Sequence, residues 1–109
     1  MQIFGMYIAT VFYMVLRIDK SNSPKFVIYA LSGRIENEQI IELQEILLLE
    51  QKNQKIALDL KDVKLVDQHS VEFLEDCETQ GVELWNCPAY LREWIVRVRG
   101  AIAGEPAEN

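Results

Sequence analysis

The sequence predicts a small α/β sandwich, with a mixed sheet of about four to five strands and three helices in the order ββαβαβα. Two observations predict this fold. From residue 25 onward, short β-branched apolar runs alternate with amphipathic helical segments, which requires parallel strands joined by right-handed crossovers. The first two strands are separated only by a short polar turn, so we expect them to form an antiparallel hairpin. Half of the 109 residues are apolar, enough for one core and one domain.

The strands are predicted over residues 11–18, 26–31, 56–60 and 82–85. The residues that follow the first three are turn formers: 21–24, then Ser32 and Gly33, then Lys61 and Asp62. Because the third strand has a helix before and after it, we expect it to be central and covered.

The helices are predicted over residues 37–52, about 70–80 and about 89–99. Asn37 is the expected N-cap of the first, Gly81 the C′ residue of the second, and Gly100 the end of the third. On the last helix, helical spacing separates an apolar face (Tyr90, Leu91, Trp94, Ile95, Val98) from a basic side (Arg92, Arg97, Arg99).

The first helix has apolar residues on more than one side. One broad arc holds Ile40, Ile41, Leu43, Leu47 and Leu48. Ile46 and Leu49 fall on the other side, among glutamates. This pair is either buried under the N-terminal residues, scattered on the surface, or a partner-binding patch with an acidic rim.

We divide the chain into an apolar N-terminal arm (1–11), a domain (12–99) and a solvated tail (100–109). Residues 1–16 carry no charge, and as a helix they would span about 24 Å, less than the ~30 Å hydrocarbon core. Their β-branched and aromatic content favours a strand. They are therefore read as an added strand or packed arm, as a superfluous extension, or as a surface for a homodimer. A membrane anchor and a secretory signal are both disfavoured.

Composition excludes several classes of function. The net charge of −6 disfavours nucleic-acid binding, which needs lysine and arginine to displace counterions. Two cysteines and one histidine cannot form a four-ligand zinc site, and no cofactor motif is present. Cys77 and Cys87 are read as small buried thiols in a reducing, cytoplasmic environment.

Asp67, His69 and Ser70 bring an acid, an imidazole and a hydroxyl together, but their adjacency argues against catalysis, because triad members converge from separate segments. We predict no catalytic residues and read this segment as a helix start capped by Asp67 or Ser70. Gly33 and Arg34 could touch an anion, although a strand-ending turn is the favoured interpretation of this pair.

The order of these segments resembles that of a known family. LSGRI (31–35), a helix, IALDLKDVKLVD (56–67) and a second helix resemble the STAS domain, and the resemblance covers roughly residues 12–98. The family includes anti-sigma factor antagonists and the cytoplasmic domains of sulfate transporters. The resemblance implies a non-enzymatic module that binds a protein partner, such as an anti-sigma factor or a kinase-like regulator.

In the sigma-regulating members, a motif like D-S-S-G starts the second helix, and the residue after its Asp is phosphorylated. By this resemblance Asp67 matches the Asp, Gln68 takes the phosphoacceptor place, and His69 and Ser70 follow. Gln68 has no hydroxyl, so we expect no standard phosphoswitch. The expected partner-binding residues are Asp67, Gln68, His69, Ser70 and Glu72. The alternative is a small-molecule or nucleotide sensor, with polar groups converging near Gly33, Arg34 and Asp67.

Charge is also unevenly distributed. Residues 36–50 hold five acids and no base, and residues 67–83 hold six acids and no base. If both helices cover one face of the sheet, that face would attract a basic partner. Alternatively, these are two solvated helix faces that keep the protein soluble.

Overall fold

One four-stranded mixed sheet organises the part of the chain that the computed structural model describes, namely residues 16–50 and 54–108, with side chains through residue 102. The strands are β1 (Leu16–Asn22), β2 (Phe26–Ile35), β3 (Lys55–Val66) and β4 (Glu83–Trp85), side by side in that order. The helices are α1 (Asn37–Glu50), α2 (Gln68–Thr79) and α3 (Ala89–Glu108). The order ββαβαβα and the mixed sheet are confirmed.

The strand directions follow from the connections. β1 is antiparallel to β2, whereas β3 is parallel to both β2 and β4. Alternate residues of β2 are buried, starting at Val27, which pairs with Ile56 of β3. The buried residues of the sheet and of all three helices form one core cluster. The prediction that β3 is central is therefore confirmed.

The central strands run further than predicted. β2 passes through Ser32 and Gly33 to Ile35, and β3 passes through Lys61 and Asp62. The pairing of the two strands shifts between Ala30 and Ser32 and again between Gly33 and Arg34, so bulges replace the predicted turns. The backbone of Gly33 has a φ angle of +106°, which residues with a side chain rarely adopt. Glycine at this position therefore allows the strand to continue through the bulge.

The hairpin turn lies later than predicted. β1 continues to Asn22, and the turn is closed by Ser23, whose N–H donates to the Phe26 carbonyl at 2.8 Å. The predicted beginning of this strand, at residues 11–15, and the arm at 1–11 lie outside the described residues.

The start of α1 differs by one residue from the prediction. The carbonyl of Glu36, not Asn37, accepts the first N–H bonds of the helix, from Gln39 and Ile40. The Glu36 N–H in turn donates to Oε1 of Gln39 at 3.1 Å, which explains why this glutamine is buried. The predicted apolar arc was too broad, because Ile41 and Leu48 are exposed.

The predicted end of α2 is confirmed, whereas that of α3 is not. α2 ends as predicted: Gly81 has φ +103°, its N–H bonds to the Glu78 carbonyl, and the Val82 N–H bonds to the Cys77 carbonyl. The predicted end of α3 at Gly100 is wrong, and the helix continues to Glu108. A single glycine costs a helix only about 1 kcal/mol relative to alanine and does not have to end it. Within the described residues, no helix is long and apolar enough to cross a bilayer.

Candidate functional site

The start of α2 lies directly beyond the carboxyl end of β3, and Asp67 caps it. Asp67 has extended backbone geometry, its Oδ1 accepts the Ser70 N–H at 2.9 Å, and its carbonyl accepts the Val71 N–H at 3.0 Å. The cap predicted from the sequence is thus made by Asp67, and it fixes the direction in which α2 leaves the sheet.

Ser70 is fully buried at this point. Its hydroxyl lies 2.6 Å from the carbonyl oxygen of Ile35, at the end of β2, and 2.7 Å from Oδ1 of Asp67. The Ser70 hydroxyl and then its N–H hold the pKa of Asp67 below its usual value, against the opposing effect of burial. Ser70 therefore holds the loop together and presents no surface of its own.

Gln68 joins α2 to α3. The indole N–H of Trp94 donates to Oε1 of Gln68 at 3.2 Å, and Nε2 of Gln68 donates to Oε2 of Glu72 at 3.0 Å. Both functional atoms of the amide are thus used. The exposed His69 places Nδ1 3.9 Å from Oε1 of Glu72. The Ser70 hydroxyl contacts the carboxylate of Asp67 but is fully buried, and the imidazole of His69 has no hydrogen bond to either of them.

A shallow cleft of about 290 Å³ adjoins these residues. Gln68 and Glu72 form one side, and the α3 residues Trp94, Arg97 and Ile102 form the other. These three residues were not predicted as site residues. Helical spacing placed Trp94 and Arg97 on different faces of α3, and the predicted helix ended at Gly100, before Ile102. The signal present in the sequence was Trp94 itself, whose N–H needs an acceptor when the ring packs at a surface.

Two acids of α2, Glu75 and Glu78, are paired with arginines of α3. Arg92 binds Glu78 through two bonds of 2.9 and 3.0 Å, and Arg99 reaches Glu78 at 2.8 Å and Glu75 at 3.2 Å. Arg92 first and then Arg99 lower the pKa of Glu78 to about 2, against the effect of burial. Arg92 and Arg99 of the predicted basic side thus pack against α2, and they reduce the negative charge expected from residues 67–83 at Glu75 and Glu78.

The predicted anion site is not joined to this cleft. Arg34 is exposed and lies 3.9 Å from Oε2 of Glu36, and Gly33 is a strand residue. Neither of the two clefts described here is lined by Gly33, Arg34 or Asp67. Anion binding at this place stays a prediction. In the part of the chain that the structure describes, no three His, Cys, Asp or Glu side chains are grouped to hold a metal ion.

The comparisons with known proteins concern the fold. No family model matches the sequence, and no curated protein matches it. The crystal structure of the STAS domain of an antisigma-factor antagonist from Rhodobacter sphaeroides superposes with a TM-score of 0.55 at 12% identity, covering 66% of this chain and 87% of that one. This chain has the STAS fold.

A second structure is more distant in shape. It is an uncharacterised protein of the DUF3478 family with a SpoIIAA-like fold, from Shewanella loihica PV-4. It has a TM-score of 0.44 at 19% identity and covers 81% of this chain and 79% of that one. The Rhodobacter sphaeroides structure, with its TM-score of 0.55, confirms at the level of the fold the resemblance to the STAS domain found in the sequence.

Proposed function

We propose that this STAS-fold chain is a non-enzymatic module that binds a protein partner at the start of α2, and that it does so without a serine phosphoswitch. The supporting observation is the contact chain Trp94–Gln68–Glu72 beside an open cleft. These contacts lie at the start of α2, where the resemblance to the STAS domain places the binding of a protein partner. An anti-sigma factor or kinase-like regulator is the proposed class of partner.

The surface has the composition of a small interface. Trp94 and Arg97 are of the residue types most enriched in binding hot spots, and Ile102 leaves 59% of its surface exposed beside them. His69 and Glu72 supply an exposed polar rim. Because Trp94 and Gln68 are already bonded to each other, little side-chain freedom is lost when a partner binds.

Small-molecule or nucleotide sensing is less well supported. That function was expected to need a concavity near Gly33, Arg34 and Asp67, and neither described cleft is lined by them. We further propose a reducing, cytoplasmic environment, in which Cys77 and Cys87 stay free thiols.

Quantitative capture from native lysate tests the docking surface. The full-length chain is used as bait, together with Gln68→Asp and Glu72→Lys in the proposed surface and Glu45→Lys on α1 as a matched charge reversal. We expect a partner whose recovery falls at least about fivefold with Glu72→Lys, as for the loss and reversal of an interfacial ion pair. Glu45→Lys should leave its recovery unchanged. The proposal fails if no protein is enriched, or if neither Gln68→Asp nor Glu72→Lys changes the recovery of any enriched protein.

The missing phosphoswitch is tested separately. The chain and its Gln68→Ser variant are incubated with the captured partner and ATP, and phosphopeptides are mapped. We expect no phosphate on residues 67–70 of the natural chain, since Gln68 has no hydroxyl and that of Ser70 is buried and bonded. A kinase-like partner should modify only the serine introduced at position 68. Stoichiometric phosphate on Ser70 would contradict this part of the proposal.

A further inference from the structure

A second and larger cleft, of about 650 Å³, lies between the carboxyl-terminal halves of α1 and α2 and the start of β3. Its walls include the apolar side chains of Leu47, Leu48, Ile56, Phe73 and Val82. It adjoins the end of α2 opposite to Gln68, and a 12-residue helix spans about 18 Å. The two clefts are therefore separate surfaces.

The apolar surface of this cleft continues onto the outside of α1. Leu48 lines the cleft and is also 66% exposed. Ile41, two helical turns before Leu48 and therefore on the same side, is 56% exposed. Leu49 is 77% exposed but lies about 100° further round the helix, among the glutamates. Large aliphatic side chains grouped beside a cleft are typical of an interaction surface, whereas scattered single ones are not.

A row of acids borders this apolar surface. Glu38, Glu42 and Glu45 follow one another at spacings of four and three residues, so they lie in line along α1. None of the three side chains has a hydrogen bond or ion pair within the residues that the structure describes. Glu78 of α2, in contrast, is held by two arginines. These three glutamates thus give α1 a row of negative charge that no described basic side chain neutralises.

The opposite side of the cleft adds to the same charge pattern. Asp76 of α2 lines it, and its hydrogen-bond partner is the neutral amide of Gln80 at 2.8 Å. Lys55 is the one basic side chain among the described lining residues. A partner that binds here must therefore supply apolar groups for the cleft and positive charge for its borders.

We propose that α1 and the 650 Å³ cleft bind a basic amphipathic helix of a partner protein. Its apolar side would lie on Ile41 and Leu48 and insert a large side chain into the cleft, and its lysines or arginines would face the α1 glutamates. A second copy of this chain docking through its own α1 is disfavoured, because the two rows of glutamates would repel each other. This surface is distinct from the one at Gln68, so the two proposals stand or fall separately.

Titration by NMR tests this inference on the full-length, ¹⁵N-labelled chain. The probe is a leucine–lysine peptide of about 18 residues patterned as an amphipathic helix, long enough to be helical when bound. One comparison peptide has the same composition in scrambled order, and another carries glutamate in place of lysine. We expect saturable shifts in the amides of α1 and the cleft walls, none at Gln68 or Trp94, and at least tenfold weaker binding of both comparison peptides.

Variants then assign the contacts. Leu48→Ser and the double charge reversal Glu42→Lys/Glu45→Lys should each weaken binding at least about fivefold, since each exposed ion pair contributes a factor of up to about 5. The controls Leu65→Ser and Glu93→Lys change exposed residues elsewhere and should weaken it less than twofold.

Three results would overturn the inference. The first is equal binding of the scrambled peptide, and the second is shifts centred on the start of α2. The third is a peptide-free dimer, detected by sedimentation, that Leu48→Ser dissociates, because a second copy would then cover this surface.

Discussion

Ser70 and Asp67 make three parts of the chain depend on one another: the end of β2, the loop after β3, and the first turn of α2. The sequence could predict that one of the two caps a helix, because both residue types accept backbone N–H bonds. It could not predict that Asp67 is the cap and Ser70 the buried link, since that assignment depends on the Ile35 carbonyl, 35 residues away. The hydrogen bond of Gln68 could not be predicted either, because its partner Trp94 belongs to another helix.

Removing the cap that Asp67 makes should lower the stability of the fold. We expect Asp67→Ala to reduce the free energy of unfolding by about 1–2 kcal/mol, because the Ser70 N–H loses its acceptor in a partly buried place. Asp62→Ala, at an exposed position of β3, should cost less than about 0.5 kcal/mol. Urea unfolding of both variants measures the difference, and equal effects would contradict the capping role of Asp67.

At the scale of elements, helix periodicity predicted which faces of α2 and α3 are apolar but not what their polar sides contact. Arg92 and Arg99 were placed on the basic side of the last helix without a predicted partner, and in the fold they lie against Glu75 and Glu78. Strand ends were predicted too early for a related reason. Lys61 and Asp62 have the composition of a turn, but the Lys61 N–H bonds to Oδ1 of Asp59 and forms a bulge inside β3.

The α2–α3 contact should be sensitive to acid. Glu78 has its pKa lowered from 4.5 to about 2, so its ion pairs add stability above the unfolded value of 4.5. That stability is lost as the pH falls from 4.5 towards 2. We expect Glu78→Gln to lower stability by on the order of 1 kcal/mol near neutral pH. Between pH 4.5 and 2, the free energy of unfolding of the Glu78→Gln variant should therefore decrease less than that of the natural chain.

The control for this measurement is Glu93→Gln, because Glu93 is exposed on α3 and makes no ion pair within the described residues. Thermal or urea unfolding from about pH 6 to about pH 2.5 gives both curves. If Glu78→Gln shows the same acid dependence as the natural chain, the arginine contacts contribute nothing to holding α3 on α2.

For the whole molecule, element order and strand direction could be predicted because they follow from alternating periodicities and connection lengths. The docking surfaces could not, since each is formed by residues from elements that meet only in the folded chain. The fold also places the two proposed surfaces at opposite ends of α2, next to Gln68 and next to Gln80. One helix would thus serve both surfaces.

The N-terminal residues provide a prediction about the whole chain. We expect residues 1–10 to be dispensable for folding, because β1 from Leu16 onward already pairs with β2 along its full length. A chain that starts at Met14 should have a thermal midpoint within about 8 °C of the full-length value, which corresponds to about 1–2 kcal/mol at this size. A larger decrease, measured by calorimetry, would make these residues part of the core.

The central claim is that a protein partner docks at the start of α2, and amide hydrogen exchange of the purified complex tests it most directly. Exchange is compared for the chain alone and with the captured partner. We predict slower exchange on binding for the amides of Gln68 to Glu72 and of Trp94 to Val98, with Ile41 to Leu49 unchanged by that partner. Protection confined to other segments, or no protection in a saturated complex, would contradict the proposed docking site.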